Sequence, residues 1–538
     1  MRKLLQHKYN AGKTVLGVVV MAAALASCEK FTELQPKAQI PEDLVFVDSA
    51  NIDLAVNGMY NNAAVGSYAD SYAGRGYPFG AAAIEQDEMR GEDMVNLATF
   101  YQITYEATYN TTSANNVAMW LNLYSLINQA NVLIEGVREA GQNGVISVDR
   151  AERFEAEARF LRALSHHELL LHFSFPYLDG NGNKPGVPYR DIAINTPDRI
   201  EEGKKVGRGT VAEVYTKILA DLDYAEEKLP NSTASSRLIS RASKGAAIAL
   251  KTRIKLHQGD WAGVITEGTK LGTNGAGPDF SSPIGGYALT ASPDEPFTSQ
   301  ANNTESIFSI ANGAASTANG GVNGALPNMF GPADKGGRGL VATSPNLYNA
   351  SFWVTGDKRR ELLQTQQLVP ATSRFYFNYK YRDYINKTDW APIIRYAEVL
   401  LNVAEAYARE SNTAQAFLLL NAVRNRSVPE GSEFTTPPAD LVGAILQERR
   451  IEFAGEGRRW PDIHRLQKDP NPAYAMDGIP AKVLTIKGDG SEYDLVNRPV
   501  VTPTKAAIPY TDFRFLWPIP ATEVASNPTL AGQQNAGY

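Results

Sequence analysis

Several long stretches of the chain repeat apolar positions every three or four residues, the spacing that predicts amphipathic helices. The clearest stripe runs through 113–139, and a second follows through 149–173. In the first stripe the apolar positions are Trp120, Leu123, Leu126, Ile127, Ala130, Leu133, Ile134 and Val137. Further helices are predicted over 51–64, 210–229, 243–257, 260–271, 392–410 and 413–426.

Some of these helices come in pairs that are separated only by a short turn. Gly259-Asp260 separates 243–257 from 260–271, and Ser411-Asn412 separates 392–410 from 413–426. Alanine is frequent at the facing positions, and small residues let helices approach closely, as in TPR-like repeats. We therefore predict a mainly α fold of TPR-like helix pairs with few short strands. Because the period is irregular, an irregular helical domain remains the alternative.

Two regions, 66–112 and 272–389, interrupt the helical pattern. Both are rich in glycine and polar residues, and long excursions from a helical scaffold are usually either functional or disordered. Their many aromatic residues argue against disorder. We therefore expect these irregular insertions to hold a ligand-binding surface.

The N-terminus has the layout of an export signal. A basic stretch (Arg2, Lys3, Lys8 and Lys13) precedes an apolar run over 15–26, which is shorter than the roughly 20 residues of a membrane span. The chain's one cysteine, Cys28, follows Leu25-Ala26-Ser27, close to the lipobox of bacterial lipoproteins. We predict a signal peptide over 1–27 and lipidation of Cys28.

A polar, proline-marked tether is predicted over 28–48, followed by one domain over 49–538. That domain comprises an N-terminal helical part (about 49–271), an irregular region (about 272–389) and a C-terminal part (about 390–538). The formal net charge is −6, and cleavage of the signal would make it more negative. Such an acidic chain lacks the basic footprint of a nucleic-acid-binding protein or of a polybasic lipid-binding segment.

An ordered series of motifs spans most of the predicted domain. In sequence order these are EARFLRAL at 157–164, TVAEVY at 210–215, IRYAEVLL at 394–401, NAVRNR at 421–426, ERRIEF at 448–453 and LWPIP at 516–520, with a closing Gly537-Tyr538. Together they resemble the SusD/RagB family of outer-membrane nutrient-binding lipoproteins. We interpret most of these motif residues as scaffold.

The resemblance implies binding without catalysis. It implies capture of oligosaccharide outside the cell, at the outer membrane, and delivery to a SusC-like TonB-dependent transporter. It implies no cofactor. Two alternatives remain: a peptide-binding member of the same family and a tethered glycan hydrolase. A hydrolase needs a suitably spaced carboxylate pair, and nothing in the sequence marks one.

Aromatic residues in the irregular regions are the best ligand-binding candidates. A sugar ring has an apolar C–H face that can lie on an aromatic ring, and amide side chains can hydrogen-bond its hydroxyls. The predicted ligand-binding residues are Tyr72, Tyr77, Asn96, Phe100, Tyr101, Phe330 and Trp353. We expect them to be partly exposed.

Two polar clusters raise the question of a metal ion. His167 and His172 are five positions apart on a predicted helix, not the four of a zincin, so packed or surface histidines are expected there, as for neighbouring His166. An acidic cluster lacks the spacing of an EF-hand and is interpreted as a solvated loop, with calcium as the alternative. Its members are Glu85, Asp87, Glu88, Glu92 and Asp93. No metal site is predicted.

Overall fold

The computed structural model describes residues 42–66, 74–232, 238–313, 324–362, 364–367 and 375–538. Cys28, the predicted signal peptide and Tyr72 lie outside these ranges. Contacts divide the chain into a unit that ends at Ala55 and a unit from Val56 to Tyr538, and the side-chain contacts and candidate sites discussed below lie in the second. The domain boundaries proposed from the sequence stay predictions.

Helices dominate the described residues, as predicted. The α-helices are α1 (Glu42–Val45), α2 (Ser49–Val65), α3 (Ala81–Arg90), α4 (Gln102–Tyr105), α5 (Ala114–Gln142), α6 (Val148–Phe173), α7 (Pro197–Gly203), α8 (Val211–Lys228), α9 (Lys244–Gln258), α10 (Trp261–Lys270), α11 (Glu295–Thr298), α12 (Leu326–Phe330), α13 (Pro345–Tyr348), α14 (Lys358–Leu362), α15 (Tyr396–Arg409), α16 (Thr413–Asn425), α17 (Leu441–Glu452), α18 (Arg459–Arg465) and α19 (Ala521–Ser526).

The strands are few and short, also as predicted. They are β1 (Met94–Asn96), β2 (Ser306–Ile310), β3 (Val341–Thr343), β4 (Gln364–Gln367), β5 (Phe375–Asn378) and β6 (Ala391–Arg395). In the described part of the chain they form antiparallel pairs: β1 with β3, β2 with β6, and β4 with β5. Met94 lies opposite Thr343, and Ser306 lies opposite Arg395.

Packing of α5 on α6 forms the first half of the scaffold. The apolar stripe of α5 is buried, and α6 is buried on nearly every side from Ala156 to Phe173 because α5 and α8 both pack on it. A capping box starts α8, in which Thr210 and Glu213 satisfy each other's backbone N–H groups. These contacts confirm the predicted helices over 113–139, 149–173 and 210–229.

Helix pairs α9–α10 and α15–α16 form the second half, and α10 and α15 pack together. Gly259 ends α9 in the left-handed conformation (φ 72°), which a glycine adopts without a steric cost. Ser411 has φ 63° in the turn between α15 and α16. The pairing agrees with the predicted TPR-like scaffold.

The prediction of a helix over 392–410 is wrong at its beginning. Residues Ala391–Arg395 form strand β6, and the helix begins only at Tyr396. Pro392 disfavours an α conformation in the residue before it, and β2 offers a partner strand that the local pattern does not reveal. Ile393 therefore belongs to a buried strand and not to the helical stripe.

A buried set of ion pairs joins the strand pair to the C-terminal helices. Arg395 lies between Glu305, Glu452 and Glu456, with its Nη1 3.0 Å from Glu452 and its Nε donating to Glu456 at 2.8 Å. Arg426 Nη2 contacts Glu452 at 2.6 Å. We call these five residues the Arg395 network. Burial opposes the charged form of Glu452, but Arg426, Arg395 and Arg359 outweigh it and lower its pKa.

Within the part of the chain that the structure describes, no helix is both long and apolar enough to cross a membrane.

Candidate functional site

The predicted ligand-binding residues differ in how much surface they offer. Tyr77, Tyr101, Phe330 and Trp353 are buried, with exposed fractions of 4%, 0%, 0% and 1%. Asn96 and Phe100 are half-buried and reach the surface. Tyr72 lies in 67–73, outside the described ranges. The expectation of partial exposure therefore holds for Asn96 and Phe100 and is wrong for the four buried residues, while ligand contact stays a prediction for all of them.

The ring of Phe100 lies in a short 3₁₀ turn (Thr99–Tyr101) that follows β1. The buried Tyr101 ring supports it edge-on, with the centroids 4.9 Å apart. The guanidinium carbon of Arg338 lies 4.8 Å from the centroid of Phe100. This is the distance of a cation–π contact, which holds both groups together. We call Asn96, Phe100 and Arg338, with Tyr101 and Glu85 behind them, the Phe100 surface.

A tight loop holds Arg338 in place. Gly339 N–H donates to Gly331 at 2.9 Å, and Arg338 N–H donates to Asn328 at 2.8 Å. A Cβ at Gly337 would overlap the backbone of Gly331, so glycine is needed there for close approach. Leu97 N–H then donates to Leu340 at 2.8 Å, which joins the end of the loop to the segment that leads into Phe100.

A buried carboxyl group lies behind the surface. Glu85 is on α3, is fully buried, and neither of its oxygens accepts a hydrogen bond of good geometry from the described residues. Burial raises its pKa to about 8, and the Tyr101 hydroxyl and Arg338 offset only part of this shift. Since the ionised form of a buried carboxyl is costly, Glu85 is mainly protonated at neutral pH.

Tyr77 belongs to a polar chain below the same surface. Gln86 Nε2 donates to the Tyr77 hydroxyl at 3.3 Å, the Thr104 hydroxyl donates to Gln86, and Asn115 Nδ2 donates to Thr104 at 3.2 Å. These hydrogen bonds fix α3 to α4 and α5. The structure therefore brings Tyr77, Phe100 and Tyr101 into one region.

Phe330 and Trp353 are packed against other side chains in the protein interior. Phe330 ends α12, which packs on α3, and its ring lies 5.5 Å from Tyr381. Trp353 lies under Arg360, whose guanidinium carbon is 4.3 Å from the ring centroid. Asn96 Nδ2 donates to Ala98, while its buried Oδ1 accepts no hydrogen bond from the described residues.

Arg338 was missed by reasoning from the sequence. It is the one charged residue in Gly336-Gly337-Arg338-Gly339. A lone arginine in a glycine run, inside an aromatic-rich region, is the sequence signal that could have identified it. Tyr384 was also missed. A Cβ at Gly331 would overlap its ring, so Tyr384 packs directly against the loop.

The acidic cluster is not a solvated loop, and that expectation is wrong. Glu85, Asp87 and Glu88 lie on the buried helix α3. Burial raises the pKa of Glu88 to about 8, although Gly457 N–H donates to it at 2.8 Å. The other two members pair with arginines: Glu92 with Arg459 at 2.5 Å, and Asp93 with Arg450. The segment is therefore a regular helix followed by two carboxylates that pair with arginines. It is not solvated because the C-terminal helices cover it.

The predicted histidines are packed in the core. His166 stacks on Tyr189 at 3.9 Å, and His172 stacks on Trp517 at 4.4 Å. His167 is also buried. Their positions agree with the expectation of packed scaffold histidines.

Asp87, Glu168 and His172 form the one group in the described ranges whose side chains approach closely enough to share a metal ion. His172 Nε2 lies 3.3 Å from each carboxylate. Arg90 Nη1 lies 3.3 Å from His172 Nδ1, and since arginine can only donate, Nδ1 accepts. In the neutral ring Nε2 then carries the hydrogen and donates to Glu168 at 3.3 Å, whereas Asp87 Oδ1 accepts no hydrogen bond of good geometry from the described residues. The absence of a metal site stays a prediction.

The fold and this surface define a protein with a paired-helix scaffold that presents an aromatic ring and a guanidinium from loops. Two family models match the chain. The model described as "SusD family" matches residues 364–538, and the model described as "Starch-binding associating with outer membrane" matches residues 31–256. The chain belongs to the SusD/RagB family.

Individual relatives agree with this assignment. The SusD-like protein P25 of Formosa agariphila is 24% identical over 506 residues, which cover 84% of this chain and 89% of that protein. A SusD superfamily protein of Bacteroides fragilis superposes with a TM-score of 0.71 at 24% identity, over 90% of this chain and 99% of that one. The surface glycan-binding protein A of Bacteroides uniformis superposes with a TM-score of 0.66 at 20% identity, over 90% and 99%.

Proposed function

We propose that this protein binds oligosaccharides at the Phe100 surface without cleaving them. The observation that carries the proposal is the partly exposed Phe100 ring, which Tyr101 contacts edge-on at 4.9 Å and the Arg338 guanidinium contacts at 4.8 Å. A supported ring offers an apolar platform for the C–H face of a sugar. Arg338 adds planar N–H donors for hydroxyl oxygens.

Family membership supports the same ligand class. The family model for the N-terminal half is described as starch-binding, and the structural relative from Bacteroides uniformis is named as a surface glycan-binding protein. Binding without turnover is supported by the chemistry of the surface. Glu85, the carboxyl group behind this surface, is fully buried behind Tyr101 and cannot reach a glycosidic bond on the surface.

We further propose that the protein is anchored through lipid on Cys28 at the outer membrane, faces the cell exterior, and passes its ligand to a SusC-like TonB-dependent transporter. The family model described as associating with the outer membrane supports the location. The anchor rests on the sequence around Cys28, and the transporter rests on family membership.

Isothermal titration calorimetry with a panel of neutral oligosaccharides tests the binding proposal. The panel contains maltohexaose, laminarihexaose and xylohexaose. For the member that binds, Phe100→Ala and Arg338→Ala should each weaken binding by about 2 kcal/mol, the scale of a central contact. Reducing-end assays on the same mixtures should show no shorter fragments.

A matched control comes from a second aromatic–arginine pair. Tyr474 is half-buried and lies 5.4 Å from the guanidinium of Arg409. Tyr474→Ala should leave the affinity unchanged. If Phe100→Ala and Arg338→Ala bind as tightly as the parent, or if purified protein shortens the oligosaccharide, the proposal is wrong.

Cys28→Ser tests the anchor. Acylation needs the thiol, and stable anchoring needs more than one acyl chain. The parent protein should fractionate with the outer membrane and carry the mass of its acyl chains, whereas the variant should be released. A parent protein of unmodified mass would contradict the proposal.

A further inference from the structure

A groove opens at the C-terminal end of the scaffold. Its volume is about 670 Å³, within the range of roughly 300–1,000 Å³ that small-molecule sites occupy. The groove is lined by aromatic rings (Phe175, Tyr510 and Phe513) and by charged side chains (Asp179, Lys184, Lys468 and Asp512). None of these residues belongs to the Phe100 surface.

The walls of the groove are held rigidly by the end of α6. Trp517 N–H donates to His172 at 2.9 Å, and Asn535 Nδ2 donates to Phe173 at 3.0 Å. These bonds tie the C-terminal segment to the helix that leads into Phe175. A groove that is fixed before binding loses less entropy when a ligand enters.

Three aromatic rings line the groove and differ in exposure: Tyr510 is buried, Phe175 is half-buried and Phe513 is exposed. Phe175 and Tyr510 meet edge-to-face at 5.6 Å, and Phe513 is 46% exposed at the rim. Tyr538 supports Phe513 at 4.9 Å. Together the three rings give the groove an apolar lining beside a few polar groups, which is the usual composition of a small-molecule site.

The charged side chains of the groove differ in whether a group of opposite charge lies beside them. Asp512 is paired with Arg514 at 2.6 Å, and Asp179 accepts from the Tyr510 hydroxyl at 2.8 Å and lies 3.9 Å from Lys184. Lys468 is exposed and lies 4.9 Å from the centroid of Tyr510, and no described carboxylate forms an ion pair with it. The groove therefore presents an ammonium group whose counter-charge is missing, beside an aromatic platform.

We propose that this groove is a second saccharide site and that it selects acidic sugars. The rings would take the apolar face of a pyranose, Asp179 would accept from its hydroxyls, and Lys468 would bind the carboxylate of a uronic acid. The choice of a saccharide rests on the proposed function, whereas the choice of an acidic one rests on Lys468.

Titration calorimetry of the full-length protein with tetragalacturonate tests the proposal, with maltotetraose as the neutral match. Tetragalacturonate should bind, and its affinity should fall as salt is added because the contact is ionic. Lys468→Ala and Phe513→Ala should each weaken it at least tenfold, while Lys468→Arg should retain it. Lys487→Ala removes an exposed lysine outside the groove and should change nothing.

The outcomes separate this proposal from the previous one. Phe100→Ala should leave tetragalacturonate binding unchanged, so a loss there assigns the acidic sugar to the Phe100 surface and overturns the second site. The absence of tetragalacturonate binding to the parent, or equal affinity of the Phe100→Ala variant for tetragalacturonate and maltotetraose, also overturns it. Equal binding of hexaglutamate would show that the groove recognises acidic chains in general and would overturn the saccharide assignment. None of these results bears on neutral oligosaccharides at Phe100.

Discussion

Buried carboxyl groups have arginine partners in the Arg395 network but not behind the Phe100 surface. Each carboxylate of the network (Glu305, Glu452 and Glu456) contacts at least one arginine. Glu85, behind the Phe100 surface, has no such ion pair within the described residues. Arginine neighbours lower the pKa of Glu305 and Glu452, whereas burial raises the pKa of Glu85. Partners, and not burial alone, decide the state of a buried carboxyl.

The two regions also differ in role, because the network belongs to the scaffold and the Phe100 surface is the proposed ligand-binding region. The network joins β6 to the C-terminal helices and contains residues of the family motifs, such as Arg395, Arg426 and Glu452. The Phe100 surface is built from a 3₁₀ turn and a glycine loop. Loops can change without disturbing the packed helices, so a common scaffold can carry different ligand surfaces.

The largest effect is expected in the network. Arg395→Ala leaves three carboxylates without one of their partners, and breaking a buried ion pair in this way costs about 3–5 kcal/mol. Urea unfolding followed by circular dichroism measures the loss. Arg199→Ala, which breaks partly exposed pairs with Glu135 and Glu202, should cost less than about 1 kcal/mol. Equal losses for the two variants would mean that the network is not a stabilising element.

Trp353→Ala should come next, and it distinguishes core from ligand contact. Trp353 is 1% exposed, so truncation should lower the free energy of unfolding by about 3–5 kcal/mol. Oligosaccharide affinity, measured by calorimetry at a temperature where the variant is folded, should not change. A selective loss of affinity with unchanged stability would instead restore Trp353 as a ligand contact.

Gly337→Ala should have a smaller effect that is concentrated at the Phe100 surface. The added Cβ displaces the loop that holds Arg338, with an overpacking cost of about 1–3 kcal/mol. Thermal unfolding and calorimetry together should show modest destabilisation and weaker oligosaccharide binding. Gly313→Ala, where a Cβ meets open space, is the matched control. Unchanged binding by Gly337→Ala would show that the position of Arg338 is unimportant.

Glu85→Gln should act differently, because its effect appears in the dependence of stability on pH and not at one fixed pH. The pKa of Glu85 is raised from 4.5 to about 8 in the folded protein, so its contribution to stability is complete below pH 4.5 and is lost as the pH rises towards 8. One such group changes the free energy of unfolding by at most about 1.4 kcal/mol per pH unit. Urea unfolding from pH 5 to 9 should show a flatter decline for Glu85→Gln. Parallel curves would mean that Glu85 is ionised in the fold.

Local patterns in the sequence were enough to locate most of the scaffold. The stripe over 113–139 became α5, Ala114–Gln142, because its apolar residues face one partner helix. The pattern failed at 392–395, where pairing with a distant strand outweighed the local preference. Arg395 and Glu398 are only three positions apart, yet they do not pair with each other. Arg395 joins the network instead, and Glu398 contacts Arg253 at 2.6 Å.

The sequence by itself determined the helical class, the family and the regions in which a ligand surface was expected, because these depend on spacing and on the order of motifs along the chain. Only the tertiary structure decided which aromatic rings reach the surface. Phe100 and Tyr101 are adjacent, yet one is half-exposed and the other is fully buried. Likewise, Arg338 came to lie over Phe100, and Lys468 beside Tyr510, through contacts between segments far apart in the chain. Burial and charge pairing depend on such contacts, and no local pattern encodes them.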